Sequence, residues 1–272
     1  MSAFPAAKAR SVSAPGKMMV GGEYAVLRGA PAVVAAVQMR ARVRFVSEAE
    51  GAAQTAASEA RARAGETWDG TAVASTTRFP EAFATRQLAE AELGAVPGAL
   101  AVDVAELRKA GQKLGVGSSA AASAAAAAAV HAWHGQDVER EDVRQRALGF
   151  ALRGHREVAP RGSGADVAAA ALGGFVRFRR PGGVDDPAYE ASALAAPVGL
   201  VLRVVWTGEA ASTRELIARV EALHAKDAAT HDRSMARLAA EAAAFVGAFE
   251  TGRARPVVEA AARYHDAMRA LG

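Results

Sequence analysis

Hydrophobic positions recur along the chain with two different spacings, which together predict a mixed fold. Runs of β-branched apolar residues at Ala32–Val37 and Ala41–Val46 predict strands, and Ala99–Val104 alternates as a half-buried strand does. The short runs Phe175–Phe178 and Gly199–Trp206 predict two more strands, the second of them buried. Apolar residues at helical spacing predict helices over Pro80–Leu93, Ser118–Trp133, Glu139–Arg153, Ala165–Ala171, Thr213–Ala225, Ser234–Phe249 and Val257–Leu271. Because strands and helices do not alternate regularly, the pattern favours the α+β class.

Two stretches lack these patterns and divide the chain. Glu48–Gly70 is polar and rich in Ala and Gly, which indicates a loop or an exposed helix that contributes little to the core. Pro181–Pro187 combines Pro, Gly and Asp, the residues of turns, and is the best candidate for a boundary. We therefore expect an N-terminal part over residues 1–178 and a C-terminal part over residues 179–272.

Composition excludes several classes of protein. The 272 residues suffice for one large domain or two modest ones, and the 23% of charged residues is close to the globular average. No run of 18 or more strongly apolar residues predicts a membrane-spanning helix. Cysteine is absent, so disulfides, a thiolate nucleophile and a cysteine zinc site are excluded. The first ten residues lack the apolar core of a signal peptide, and we expect a cytoplasmic protein with no membrane partner.

The charge balance is mildly basic, with 33 Lys and Arg against 29 Asp and Glu. Proteins that bind nucleic acid cluster their basic residues. Here the arginines are scattered, with only short groups such as Arg177, Arg179 and Arg180. This distribution argues against a nucleic-acid partner and leaves room for a small anionic ligand. The oligomeric state is not indicated by any pattern.

One glycine-rich segment has the character of a phosphate-binding loop. Lys113–Ala121 reads Lys-Leu-Gly-Val-Gly-Ser-Ser-Ala-Ala and leads into the alanine-rich helix. Backbone N–H groups and the dipole of a helix N-terminus attract phosphate. The spacing is not that of a Walker A loop, but it also fits the dinucleotide pattern Gly-x-Gly-x-x-Ala at Gly115, Gly117 and Ala120. That second interpretation is the weaker one, because no apolar strand directly precedes the loop.

Two further segments carry residues suited to chemistry. Ser13–Leu27 contains a Pro15-Gly16 turn followed by Lys17, and then Gly21-Gly22 before Glu23. Gly162–Ala168 reads Gly-Ser-Gly-Ala-Asp-Val-Ala and places Asp166 at the start of a helix. A carboxylate in that position can cap the helix, bind a metal or accept a proton.

Taken together, in this order, the three segments resemble the motifs of the GHMP kinase family. Ser13–Leu27 is similar to the first family motif and Leu114–Ala121 to the second, the ATP phosphate loop. Gly162–Gly174 and the later stretch Trp206–Thr213 look most like the phosphomevalonate kinase branch. The resemblance spans about Ser11 to Ala218 and implies a two-part fold. An N-terminal part would bind ATP, and a shortened ferredoxin-like part would follow.

The resemblance also implies roles for single residues. Lys17 and Asp166 would be catalytic, Asp166 by orienting or deprotonating the acceptor and Lys17 by offsetting phosphoryl charge. ATP and Mg²⁺ would be the cofactors, with Ser119 as the metal ligand. The ATP phosphates would be held by Lys113, Gly115, Gly117, Ser118 and Ser119. An anionic substrate would be held by His155, Ser163, Ser212 and Thr213, with Arg156 and Arg161 as further candidates. Trp68, Trp133 and Trp206 are expected to be packing residues, although Trp68 lies where the family often holds adenine.

The resemblance has gaps that keep alternatives open. A third glycine-rich motif, which the family carries near its C-terminus, has no counterpart before Gly272. This would fit a shortened chain, a reduced kinase or an inactive relative. The leading expectation is ATP-dependent phosphorylation of 5-phosphomevalonate. The alternatives are a mevalonate kinase, a non-catalytic binding or regulatory protein and, more distantly, a nicotinamide-dependent dehydrogenase.

Overall fold

The computed structural model describes residues 11–109, 111–205 and 213–271, with side chains of α6 described only at residue 218 and from residue 220 onward. The strands are β1 (Val12–Gly21), β2 (Ala32–Val46), β3 (Thr71–Val73), β4 (Ala99–Asp103), β5 (Arg108–Lys109), β6 (Gln112–Lys113), β7 (Phe175–Arg179) and β8 (Glu190–Leu194). The helices are α1 (Glu48–Arg63), α2 (Pro80–Leu93), α3 (Ser118–Trp133), α4 (Glu141–Val158), α5 (Ala165–Leu172), α6 (Thr213–Lys226), α7 (Ala228–Glu250) and α8 (Ala254–Arg269). Short 3-10 turns occupy Ala25–Arg28 and Ala105–Leu107. The α+β class is confirmed, and no described helix is long and apolar enough to cross a membrane.

The chain forms two compact units that interleave along the sequence. Of the described residues, the first contains 11–18, 36–109, 111–160 and 166–173, and the second contains 19–35, 161–165, 174–205 and 213–271. In the first unit, β4 pairs antiparallel with the end of β2, from Arg42↔Asp103 to Val46↔Ala99, and β3 pairs antiparallel with β4. In the second unit, the start of β2 pairs antiparallel with β7, and β7 pairs antiparallel with β8.

Small residues allow close packing of three helices in the first unit. Ala-rich α3 buries twelve of its sixteen residues between its neighbours. The buried hydroxyls of Thr85 on α2 and Ser123 on α3 lie 2.6 Å apart, and Ser123 Oγ also donates to the backbone carbonyl of Ala151 on α4, at 3.4 Å. A Cβ on Gly154 of α4 would lie 2.3 Å from Thr85 Oγ1 and 2.5 Å from its backbone nitrogen. Only glycine therefore allows α4 to approach α2 this closely.

The second unit has a core of larger side chains. One cluster joins Met235 and Leu238 of α7 to Tyr264 of α8, and another joins Phe245 and Phe249 of α7 to Val33, Val257 and Ala260. Phe249 packs on Phe175 of β7 with ring centroids 5.0 Å apart. Aromatic rings are thus part of both clusters of this unit, and each buries a large apolar surface.

The strand predicted at Gly199–Trp206 is wrong over its described part. Residues 199–205 form no strand, and Val201 and Val205 are 76% and 83% exposed. The β-branched residues of this segment favour a strand, but a strand also needs hydrogen-bond partners for its backbone N–H and carbonyl groups. Among the described residues no strand pairs with this segment.

Substitution of Gly154 tests the helix packing. Gly154→Ala places a methyl group against the Thr85 backbone, and we expect the free energy of unfolding to fall by about 1–3 kcal/mol, as in other overpacked cores. Gly247→Ala is the matched control, because it also replaces a helical glycine but a Cβ there meets nothing within 4 Å. Alanine should stabilise that site by roughly 0.5–1 kcal/mol. Denaturant unfolding measures both, and equal stability of the two variants would contradict the packing argument.

Candidate active site

The loop between β6 and α3 is shaped to receive an anion. Gly115 and Gly117 have φ of +78° and +77°, which glycine adopts without strain. Gly117 is the N-cap of α3, and no side chain caps the helix by a hydrogen bond. The first turn also contains no acidic residue. The N-terminal N–H groups of α3 and its dipole are therefore available to bind phosphate oxygens.

Lys17 of β1 lies directly against this loop. Its backbone N–H donates to the carbonyl of Val116 at 2.8 Å. A Cβ on Gly117 would lie 2.8 Å from Cγ and 3.1 Å from Cε of Lys17, so the lysine stem crosses the loop at this glycine. A Cβ on Gly16 would lie 2.6 Å from the Val116 carbonyl oxygen. The structure thus brings the first and second sequence motifs together through glycines on both sides of the contact.

Ser119 and His155 also meet at the start of α3. Ser119 Oγ lies 3.5 Å from His155 Nε2, which is long for a hydrogen bond. His155 is buried in the last turn of α4, which the Gly154 contact with Thr85 holds in place. His155, predicted to bind substrate, therefore lies beside Ser119, predicted to bind the metal. A small shift of either side chain would bring the two into a normal hydrogen bond.

Asp166 is half-buried in the first turn of α5. Its Oδ1 accepts a hydrogen bond from the Val167 N–H at 3.0 Å. Neither Asp166 nor Lys17 has an ion-pair partner within 4.0 Å among the residues that the structure describes. Both charges are thus available to a bound substrate.

The remaining predicted residues are placed as follows. Lys113 is exposed on β6, next to the loop. Ser163 belongs to the second unit, where its Oγ accepts from the Ala165 N–H at 3.3 Å. Ser212 and Trp206 lie outside the described residues, and Thr213 begins α6 with a side chain that is also outside them. The charge of Arg161 is shared with Glu221, 3.6 Å away.

A cavity of about 590 Å³ beside α1 was not predicted from the sequence. Its walls include four arginines and Trp68, and the arginines are Arg42, Arg44, Arg61 and Arg78. Three of these pair with carboxylates, Arg42 with Glu106, Arg44 with Glu50 and Arg61 with Asp69. The backbone N–H of Arg40 and the side chain of Arg42 hold the pKa of Glu106 below its usual range. The alternation of Arg40, Arg42 and Arg44 was the available signal, because alternate residues of a strand share one face.

The β5–β6 hairpin, which leads into the phosphate loop, packs against the Trp68 wall of this cavity. The guanidinium of Arg108 on β5 lies 4.5 Å from the centre of the Trp68 ring, and that of Arg78 lies 5.4 Å from it. A Cβ on Gly111, in the β5–β6 turn, would lie 2.1 Å from Thr67 Cγ2. The hairpin that leads into the phosphate loop therefore also contacts the Trp68 wall. Trp133, by contrast, is buried against Phe45 and is a packing residue as predicted.

A second cluster of possible metal ligands lies in the second unit. His224, His231 and Asp232 offer ligand atoms within 4.8 Å of one another. The guanidinium of Arg28 lies 3.5 Å from His231 Nε2 and 3.6 Å from Asp232 Oδ1. The positive charge of Arg28 already occupies the position beside these ligand atoms, and we assign no metal there.

Comparison with known proteins agrees with this geometry. The model of the GHMP kinase N-terminal domain matches residues 84–174, which include the phosphate loop, His155 and Asp166. A phosphomevalonate kinase of Streptomyces sp. is 31% identical over 256 residues, covering 81% of this chain and 67% of the relative. The chain belongs to the GHMP kinase family. It is a kinase, and the nicotinamide dehydrogenase interpretation is discarded.

A second sequence relative and a solved structure are also similar to this GHMP kinase. A mevalonate kinase of Aeropyrum pernix is 31% identical over 214 residues, covering 78% of this chain and 62% of the relative. The structure of Streptococcus pneumoniae phosphomevalonate kinase with phosphomevalonate and AMPPNP shares the fold, with a TM-score of 0.66 and 16% identity over 97% of this chain and 80% of that one. The chain is thus a GHMP kinase, and the Streptomyces and Aeropyrum relatives are both kinases of the mevalonate pathway. The chain spans about two thirds of the length of these two relatives.

Two glycine substitutions separate backbone strain from displacement of Lys17. Gly115→Ala and Gly117→Ala impose the same strain, because both glycines have nearly equal positive φ. Only at Gly117 does the new methyl group strike Lys17, since a Cβ on Gly115 meets nothing within 4 Å. We expect Gly117→Ala to lower kcat on the order of tenfold more than Gly115→Ala, the size of effect that a misplaced charge has in group transfer. Steady-state phosphorylation assays measure it, and equal losses would show that the Lys17 contact is unimportant.

Proposed function

We propose that the protein transfers the γ-phosphoryl group of ATP to 5-phosphomevalonate, giving the diphosphate and ADP. The observation that carries this proposal is the contact of Lys17 with an uncapped, glycine-rich helix N-terminus. A positive charge beside a phosphate-binding loop is what phosphoryl transfer requires, because its catalysis depends chiefly on positioning and charge neutralisation. We assign ATP binding and catalysis to residues 1–178, and the choice of acceptor follows the Streptomyces relative.

In this proposal the phosphates of ATP lie on the N-terminus of α3. Backbone N–H groups from Gly115 to Ser119 donate to phosphate oxygens, and the absence of side chains at both glycines permits the approach. A hydroxyl with phosphate oxygens is a suitable oxygen-donor set for Mg²⁺, and Ser119 Oγ would contribute that ligand. The bound ion would offset charge on the phosphates. His155 Nε2 lies 3.5 Å from this hydroxyl, on the side of the predicted substrate site.

The nucleotide base would lie towards Trp68. The β5–β6 hairpin joins this tryptophan to the phosphate loop, and the adjoining cavity of about 590 Å³ is large enough for a nucleoside. Aromatic and guanidinium planes both stack well on a purine ring. Lys113 would contact the phosphates from the exposed side of the loop.

Asp166 and Lys17 would act on the acceptor and on the transferred group. The acceptor oxygen of 5-phosphomevalonate belongs to a phosphate that is already ionised near neutral pH, so little proton abstraction is needed. Asp166 would then orient the acceptor, while Lys17 offsets the charge that develops on the phosphoryl group. The substrate phosphate would be bound by His155, Ser163, Ser212 and Thr213.

Mevalonate is the competing acceptor, because the Aeropyrum mevalonate kinase has the same 31% identity as the Streptomyces phosphomevalonate kinase, over 214 rather than 256 residues. With mevalonate the acceptor is an alcohol, and Asp166 would have to accept its proton. Asp166 would thus orient the acceptor in one reaction and act as a general base in the other.

Turnover with a panel of acceptors decides between them. We expect kcat/KM for 5-phosphomevalonate to exceed that for mevalonate by at least tenfold, with ADP release coupled to product formation. A reversed preference would establish a mevalonate kinase. No phosphorylation of either acceptor at saturating ATP and Mg²⁺ would refute both assignments of the acceptor.

Charge removal tests the catalytic assignments. Asp166→Asn and Lys17→Met should each lower kcat by about a hundredfold or more, the effect expected of positioned charges in group transfer. Asp266→Asn on α8 and Lys226→Met on α6 make the same chemical changes at exposed positions outside the site and should keep kcat within about twofold of the parent. Near-full turnover in both active-site variants, at unchanged melting temperature, would refute this assignment.

A further inference from the structure

Two consecutive arginines at the end of β7 hold two different loops of the second unit. Arg179 Nε donates to the carbonyl of Gly29 at 2.8 Å. Arg180 Nε donates to the carbonyl of Ser163 at 2.7 Å. Successive side chains of an extended strand point in opposite directions, which is how neighbouring residues reach separate segments.

Arg180 is unusual because it is almost completely buried. Only 3% of its surface is exposed, whereas arginine is rarely buried unless it is well paired. Its Nη1 donates to the carbonyl of Asp186 at 2.7 Å and lies 3.4 Å from that of Pro187. The guanidinium also lies 5.9 Å from the centre of the Phe178 ring. Burial of a charge is costly, and these backbone acceptors offset it only while each of them keeps its present position.

The Ser163 carbonyl is one of these acceptors, so Arg180 fixes the loop that contains it. Gly164 follows with φ of +86°, and the Ala165 N–H closes on Ser163 Oγ at 3.3 Å. Asp166 is the next residue along the chain. Only two residues, Gly164 and Ala165, lie between the serine whose carbonyl Arg180 holds and the aspartate assigned to catalysis.

We infer that Arg180 is a positioning residue of the acceptor site, which holds the Gly162–Gly164 loop so that Ser163 meets the substrate correctly. This inference rests on the proposed function, in which Ser163 binds the acceptor and Asp166 orients it. Arg180 is assigned to positioning rather than to substrate binding, because it is buried and donates to backbone carbonyls. The arginine fork is required, because a lysine offers a single point charge in place of two directed donors.

The experiment compares Arg180→Met and Arg180→Lys with Arg179→Met. Arg179→Met is the matched control, because it removes the same kind of hydrogen bond from the neighbouring residue but frees the Gly29 carbonyl. We expect Arg180→Met to lower kcat by ten- to a hundredfold and to raise KM for the acceptor, with KM for ATP within threefold of the parent. Arg180→Lys should recover part of kcat, and Arg179→Met should keep it within threefold.

Hydrogen–deuterium exchange supplies a readout independent of turnover. Backbone amides of residues 162–165 should exchange at least fivefold faster in Arg180→Met than in the parent or in Arg179→Met, at a temperature where all variants remain folded. Where Arg180→Met does not fold, Arg180→Lys carries the comparison.

The inference is overturned if kcat and loop exchange in the Arg180 variants match the parent, or if Arg179→Met causes the same kinetic change. It is also overturned if the loss appears equally in KM for ATP, as general destabilisation would cause. Failure of the proposed function is a different result. In that case the parent protein phosphorylates neither acceptor, while the exchange measurement still reports whether Arg180 holds the loop.

Discussion

The arrangement of the candidate active site depends on the close approach of β1 to the phosphate loop. The Lys17 stem crosses the loop where a side chain on residue 117 would collide with it, and Gly16 faces the Val116 carbonyl on the other side. One backbone hydrogen bond, from Lys17 to Val116, fixes the register of the contact. A flexible lysine is thereby confined over a helix N-terminus. Its entropy is lost on folding, before any substrate binds, which is the condition under which a charge stabilises a transition state most effectively.

The packing of small side chains extends this rigidity to His155. α3 is mostly alanine, so it gains little from each buried side chain and depends on many close contacts. The buried Thr85–Ser123 hydrogen bond and the glycine at 154 join α2, α3 and α4 at one level. Ser119 and His155 are presented from two of those helices. Distances between them therefore follow from helix packing, which loops alone could not maintain.

Elements with strong local signals could be predicted from the sequence. The bounds of α2 and α3 agree with the predicted Pro80–Leu93 and Ser118–Trp133, because proline begins the first helix, Gly94 ends it and Gly117 precedes the second. Two predicted strands proved to be the single strand β2, since the polar residues around Gln38 interrupt its burial but the strand continues through them. α1 left no clear pattern because only Gly51 is buried along it.

Residues defined by tertiary contact could not be predicted in the same way. Nothing local distinguishes Arg180 from Arg177, although the fold buries Arg180 and leaves Arg177 half-buried and paired with two exposed glutamates. The arginine-lined cavity is formed by strands and a helix distant in sequence. The functional division at residue 178 likewise stays a prediction, because the compact units exchange short segments along the chain.

The two units position their candidate site residues by different interactions. This difference affects which amino-acid substitutions each unit tolerates. In the first unit Lys17 and the phosphate loop are fixed by close contacts at Gly16 and Gly117, where a Cβ would collide with its neighbours. In the second unit the Ser163 carbonyl accepts a hydrogen bond from the buried guanidinium of Arg180, which also donates to the Asp186 carbonyl. Carbonyl acceptors are present whatever side chain a residue carries. The loop sequence around Ser163 can therefore vary with the acceptor while the arginine keeps its partners, whereas the phosphate loop cannot vary in this way.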